Sequence, residues 1–187
     1  KFNFTFDNLT EEYVQDFKWG VLAINTQKSI YLENEEAFIG IAVLDDGGIM
    51  VCDANVSLGI SDSGNSTTVL STDNGLISIS PECNYFGVTN LPDYYGNYIV
   101  SSAGNYIMNL TAETDNGIRS MIDSFLVQES VDFDVSRDGP TRIYPLEPYD
   151  MTFVIKANQD FEGTITETVP NGFDIVSTNF ETENKSV

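Results

Sequence analysis

Residues 106–117 read Tyr106-Ile107-Met108-Asn109-Leu110-Thr111-Ala112-Glu113-Thr114-Asp115-Asn116-Gly117. From Met108 apolar and polar side chains alternate, the period of a strand with one face in a core and the other in water. The run closes on Asp-Asn-Gly, residues that tolerate the positive φ a hairpin reversal demands. The same rhythm recurs over residues 37–44, 51–60, 76–80, 98–101 and 151–156, with Gly, Asn, Asp or Pro between the runs. Asp45-Asp46-Gly47-Gly48 and Asp73-Asn74-Gly75 mark two further reversals. Reversals roughly every ten residues predict an all-β protein of antiparallel sandwich type. Phe2, Phe4 and Phe6 alternate with Asn3 and Thr5 and read as a strand whose apolar face needs a groove to fill. One window, residues 10–18, has a helical period, with Thr10 placed to cap one or two turns.

Composition narrows the function classes. The 187 residues carry 8 Lys plus Arg against 29 Asp plus Glu, a net charge of −21. Such a field repels phosphate backbones and anionic lipids, so nucleic acid is not expected as a partner. Histidine is absent, which removes the commonest general base and excludes Ser-His-Asp, Cys-His and His-containing zinc centres. We therefore read the chain as noncatalytic. No stretch approaches the ~20 apolar residues of a membrane-spanning helix, so no membrane insertion is expected within it. Starting at Lys1 without Met or signal peptide, the chain reads as a mature product or a fragment.

The expected organisation is an N-terminal arm at residues 1–18, a first sandwich at 19–129 and a second module at 130–187. The acidic stretch Glu129-Ser130-Val131-Asp132-Phe133-Asp134 forms the junction, followed by the turn Arg137-Asp138-Gly139-Pro140. The second module is short for a complete sandwich. Its open side would suit completion by a strand, and the arm of a neighbouring subunit would supply one.

Cys52 and Cys83 belong to no C-x-x-C pair, and a disulfide between them is expected in an extracellular chain. Asn3, Asn8, Asn55, Asn65, Asn109 and Asn184 each head an Asn-x-Ser/Thr acceptor sequence for N-glycans. No cofactor is required by any motif. Calcium is the cation weighed, because Glu129, Asp132, Asp134 and Asp138, or alternatively Asp45, Asp46 and Asp53, crowd oxygen ligands into linker and turns. Tyr94, Tyr95, Tyr98 and Tyr106 with Asn84, Asn97 and Asn105 form a candidate platform for a glycan ligand, weighed against an ordinary core and sheet surface.

Two resemblances add to this reading. Residues 19–129 resemble the macroglobulin-type and invasin-type immunoglobulin-like domains of prokaryotic surface proteins. The resemblance lies in Thr26-Gln27-Lys28-Ser29-Ile30-Tyr31, Glu35-Glu36-Ala37-Phe38-Ile39-Gly40-Ile41, Val43-Leu44-Asp45 and Ala54-Asn55-Val56-Ser57-Leu58. Leu32-Glu33-Asn34-Glu35 stands where those domains carry a Pro-Gly-Glu turn. Ala103-Gly104-Asn105-Tyr106 looks like a tyrosine corner, with Met108 where antibody domains have their second core cysteine. Trp19 comes too early for the core tryptophan of those domains and reads as an edge residue.

Residues 132–187 resemble the conserved-repeat sandwich domains of archaeal and bacterial cell-wall and surface-layer proteins. The matching stretches are Met151-Thr152-Phe153-Val154-Ile155-Lys156-Ala157-Asn158 and Thr166-Glu167-Thr168-Val169-Pro170-Asn171-Gly172-Phe173, with Glu167 for the usual Asp. The resemblances imply tandem immunoglobulin-like sandwiches, the second incomplete, on the extracellular face of the cell. Their implied role is structural or adhesive, in a surface layer, stalk or filament, with other surface subunits or tandem domains as partners. The alternative is an accessory, carbohydrate-binding domain of a larger secreted enzyme.

Overall fold

Alternation becomes burial when two sheets face each other. In a computed structural model, residues 2–6, 9–13, 22–142, 147–160, 162–167, 169 and 172–179 are described. They hold β1 (Phe2–Phe6), β2 (Leu9–Tyr13), β3 (Leu22–Thr26), β4 (Ile30–Leu32), β5 (Glu36–Val43), β6 (Asn55–Ser61) and β7 (Thr67–Ser71). After these come β8 (Ser78–Ile79), β9 (Tyr94–Ile99), β10 (Gly104–Thr114), β11 (Gly117–Gln128), β12 (Phe133–Asp138), β13 (Thr152–Ala157) and β14 (Thr164–Glu167). The fold is all-β, as the alternation predicts.

One sheet runs β4-β11-β10-β6-β7 and the other β3-β5-β9-β8. The deciding stretch forms β10, with Tyr106, Met108, Leu110 and Ala112 buried and Asn105, Ile107, Asn109 and Glu113 turned to water. Across the interior, Ile39, Ile41 and Val43 of β5 join the same apolar core as Val56, Leu58 and Ile60 of β6. Fully burying each such side chain contributes on the order of 1.5–3 kcal/mol.

The reversals use the residues expected of them. Asp45 Oδ1 accepts hydrogen bonds from Gly47 N at 2.8 Å and Ile49 N at 2.9 Å. Asn74 Oδ1 accepts from Ser71 N at 2.9 Å and Leu76 N at 3.1 Å, clasping the turn between β7 and β8. Asp115 and Asn116 form the two-residue loop between β10 and β11, with Gly117 at φ 107°.

The tyrosine corner is present. The Tyr106 hydroxyl accepts from Ser101 N at 3.3 Å and Ser102 N at 3.2 Å and donates to Ser102 O at 3.1 Å, where the chain crosses from one sheet to the other. Met108 lies in the core beside it.

Contacts divide the chain into two units, residues 17–161 and residues 1–16 with 162–187. The expected junction at 129/130 is therefore not where contacts part. Arg137 N donates to Gln27 O at 3.4 Å and Thr141 N to Thr89 O at 2.8 Å, so backbone pairing carries the segment after β11 along the sandwich. Within this same unit β12 and β13 form an antiparallel hairpin, Phe133 opposite Ala157 and Asp138 opposite Thr152.

In the other unit β1 pairs on one side with β2 and on the other with β14, all antiparallel. The arm thus adds a strand to the C-terminal segment of its own chain. Its described strands make one three-stranded sheet, and a tandem of two sandwiches is not seen among the described residues. The helical period expected from residue 10 yields to this pairing: residues 9–13 are the strand β2, because a hairpin partner satisfies every other backbone group where an isolated short helix could not. Residues 14–18 and Trp19 lie outside the described residues.

Tyr106→Phe keeps the ring and removes the hydroxyl from its part-buried hydrogen bonds to the backbone of Ser101 and Ser102. We expect a loss of about 1–2 kcal/mol, read as a lower urea midpoint at unchanged slope. An unchanged midpoint would mean the crossover is held without the phenol.

Candidate functional site

Functional side chains gather where the two sheets are tied together at one end of the sandwich. Cys52, just ahead of β6, and Cys83, in the loop after β8, form a disulfide with Cα atoms 5.9 Å apart. It links a strand of the five-stranded sheet to the approach of the other sheet. The loop it closes has a sequence separation of 31 residues, and closing a loop of that size stabilises by roughly 3–4 kcal/mol through the unfolded chain.

Tyr94 braces this end from inside. Its hydroxyl donates to Val51 O at 2.7 Å and accepts from Ala54 N at 2.9 Å, bracketing Cys52. Burial pushes its phenol up to about 12, against a hydrogen bond from Ala54 that acts the other way.

Asp93 is the most deeply buried carboxylate among the described residues, 2 % exposed. Arg142 reaches it from the segment beyond β12 and forms a close ion pair with it. The same guanidinium donates to Tyr85 O at 2.5 Å and to Cys83 O at 3.5 Å. One cation therefore binds the carboxylate beside β9, the disulfide loop and its own strand-like segment. Burial holds the Asp93 carboxyl above its ordinary value, and the charge and hydrogen bonds of Arg142 pull it back in part.

A second ionic tie sits at Lys28, between β3 and β4. Its Nζ lies 2.8 Å from Asp134 of β12 and 3.1 Å from Glu35. Burial lowers its basicity, but the two carboxylates outweigh that and leave it above the ordinary lysine value.

The acidic residues weighed for calcium are distributed differently. Asp134 is taken by Lys28. Asp134 and Asp138 lie on one strand four residues apart, about 13 Å along it, much too far to share an ion bound at ~2.4 Å. Glu129 and Asp132 are exposed. Asp46 pairs with Arg119 at 2.8 Å. Asp45 and Asp53 line an open polar groove of about 510 Å³ with Asn84, Asp115 and Asn116. Among the described residues no three His, Cys, Asp or Glu side chains come close enough to hold a metal.

The tyrosine platform is divided. Tyr94 and Tyr106 are buried, and Tyr98 packs edge-on against Tyr106 with centroids 6.1 Å apart. Tyr95 turns to the opposite face of β9 and stacks on Phe38 at 5.9 Å. Alternation along one strand necessarily sends neighbouring tyrosines to opposite sides.

Of the glycan acceptors, Asn55, Asn65 and Asn109 are exposed. Asn55 Nδ2 donates to Asp73 at 3.1 Å, and Asn65 occupies a turn at φ 61°. Asn3 lies in β1, while Asn8 and Asn184 fall outside the described residues.

Sequence reasoning identified the disulfide and missed the Asp93–Arg142 pair. The two residues are 49 apart in the chain. The available signal was the scarcity of cations: with only 8 among 187 residues, each basic side chain in an apolar or turn-rich context is a natural counter-ion for a buried acid.

No protein-family model and no curated protein matches the chain.

Two measurements follow from this geometry. Arg142→Met leaves Asp93 buried without its counter-charge and should cost about 3–5 kcal/mol; Asp93→Asn in the same background should recover part of that loss in urea unfolding. Tyr31 and Tyr94 are both pushed up from 10.0 to about 12, chiefly by burial. The folded state thus favours the neutral phenols, and this stabilisation is complete below pH 10.0 and disappears as pH rises towards about 12. Summed over that interval, the loss is on the order of 2–3 kcal/mol per phenol. Alkaline unfolding followed by circular dichroism should coincide with tyrosinate absorbance; a fold unchanged after both phenols ionise would contradict it.

Proposed function

We propose that the chain is a noncatalytic structural or adhesive module of the extracellular surface, working in a surface layer, stalk or filament beside other subunits or tandem domains. The observation that carries this reading is that the segment leaving the sandwich is tied down at both ends of the β3-β5-β9 sheet. A buried ion pair with Asp93 and a second salt bridge with Lys28 fasten that segment to the sandwich itself, and the Cys52–Cys83 disulfide fixes the loop whose carbonyls Arg142 also binds. A module that transmits load or holds spacing needs this, because a free linker would absorb force by extending before the fold bears any.

The disulfide itself favours an oxidising compartment. No helix among the described residues is long and apolar enough to cross a membrane. A net charge of −21 keeps copies apart in solution and makes basic or cation-bridged partners the natural ones.

Antibodies against the folded chain should label unpermeabilised cells that make it, and the protein drawn from those cells should resist thiol alkylation until reduced. Labelling only after permeabilisation, with both cysteines alkylated directly, would overturn the reading.

A further inference from the structure

The outer face of the five-stranded sheet is out of character with the rest of the chain. Its outward positions in β6 and β7 are Asn55, Ser57, Gly59, Ser61, Thr67 and Val69. Those of β10 are Asn105, Ile107, Asn109, Thr111 and Glu113, opposite Leu126, Ser124, Ile122, Ser120 and Ile118 of β11. Glu113 alone is charged, on a chain with 29 acidic residues. Ile107, Ile122 and Val69 stand 47 %, 61 % and 49 % exposed. A sheet face with so little charge and with exposed branched side chains invites association with other sheets unless something covers it.

All three glycan acceptors of the 17–161 unit sit on this sheet: Asn55 at the start of β6, Asn65 in the turn from β6 to β7, and Asn109 in mid-β10. Asn109 is central. It lies between Gly59 of β6 and Ile122 of β11, with Ile107 and Thr111 before and after it on the same face. Strand periodicity sets the Asn109 amide and the Thr111 hydroxyl of one acceptor sequence side by side, both outward. Gly59 has no side chain, so a shallow hollow remains between Asn109 and Val69, paired with Gly59 on the far side.

We propose that Asn109 carries an N-linked glycan whose first sugars lie over this hollow and cover Ile107, Ile122 and Val69, with Asn65 as a second acceptor at the rim. The inference rests on the extracellular placement proposed above. The co-reactant is a polyprenyl-phosphate-linked oligosaccharide presented by the cell's transferase. The Asn109 amide nitrogen bonds to the anomeric carbon, the bond from that carbon to the phosphate oxygen breaks, the amide loses one proton to a base, and the lipid phosphate leaves. No oxidation or reduction occurs. Asn55 is a poorer acceptor, since its amide is engaged by Asp73.

The test begins with protein isolated from cells whose surface it labels. Enzymatic removal of N-glycans in heavy-oxygen water turns each modified Asn into labelled Asp, and peptide mapping locates it. Label at Asn109 is expected. The variants N109Q and T111A, made in the same cells, should each lose the mass of one glycan and bind an apolar dye several-fold more than the native glycoprotein. Surface-labelled, disulfide-bonded protein with unmodified Asn109 would overturn the proposal while leaving the surface reading intact. So would a native dimer closed through this face, or a glycosylated protein whose N109Q variant binds no more dye. Absence of surface labelling would instead fail the placement on which the proposal stands.

Discussion

Three buried phenols hold this sandwich, and each has to satisfy two demands at once. Their rings fill the seam between the sheets: Tyr106 stacks on Phe125 at 5.2 Å, and Tyr31 meets the same ring edge-on at 5.3 Å. Their hydroxyls cannot stay in that apolar interior unpaired without a penalty of about 1–3 kcal/mol each. Every one therefore reaches a connecting segment: Tyr31 accepts from Lys28 N, Tyr94 bridges Val51 and Ala54, and Tyr106 holds Ser101 and Ser102. The core consequently dictates where the chain crosses between sheets. Loops that would otherwise wander are fixed from within.

The tied end extends the same logic from packing to electrostatics. Tyr94 locates Cys52 by bracketing it, the disulfide then locates the loop at Cys83, and that loop offers carbonyl oxygens to Arg142. Arg142 in turn neutralises Asp93, the residue immediately before Tyr94. Each contact makes the next one less costly, because the partner has already lost its freedom. The outer face of the five-stranded sheet differs in kind: Glu113 is the one charged outward residue of β10, and Ile107, Ile118 and Ile122 are exposed.

Much of the fold could be read locally. The strands around Asn109, the three Asp/Asn/Gly reversals and the tyrosine corner all express short-range rules: side-chain period, φ tolerance, and a hydroxyl near the backbone it binds. The disulfide followed from there being two cysteines and one plausible pairing. The helical period near residue 10 misled because a window of nine residues is too short to outweigh a hairpin partner, and that partner, β1, was visible only as a separate alternation. The linker acids looked like a cation site because sequence spacing does not show how far a strand separates them.

The sequence by itself determined the fold class, the reversals and the compartment-sensitive disulfide, since each depends on neighbours within a few residues or on a unique pair. Tertiary structure alone decided three things: that the segment beyond residue 129 docks on the sandwich through Arg142 and Asp134, that the arm pairs with β14, and that Asn55 and Asn109 share one sheet with Asn65 in the turn between two of its strands. The reason is the same in every case. Such contacts join residues tens of positions apart, and which of the many acids meets a scarce cation is settled by where the two sheets place them.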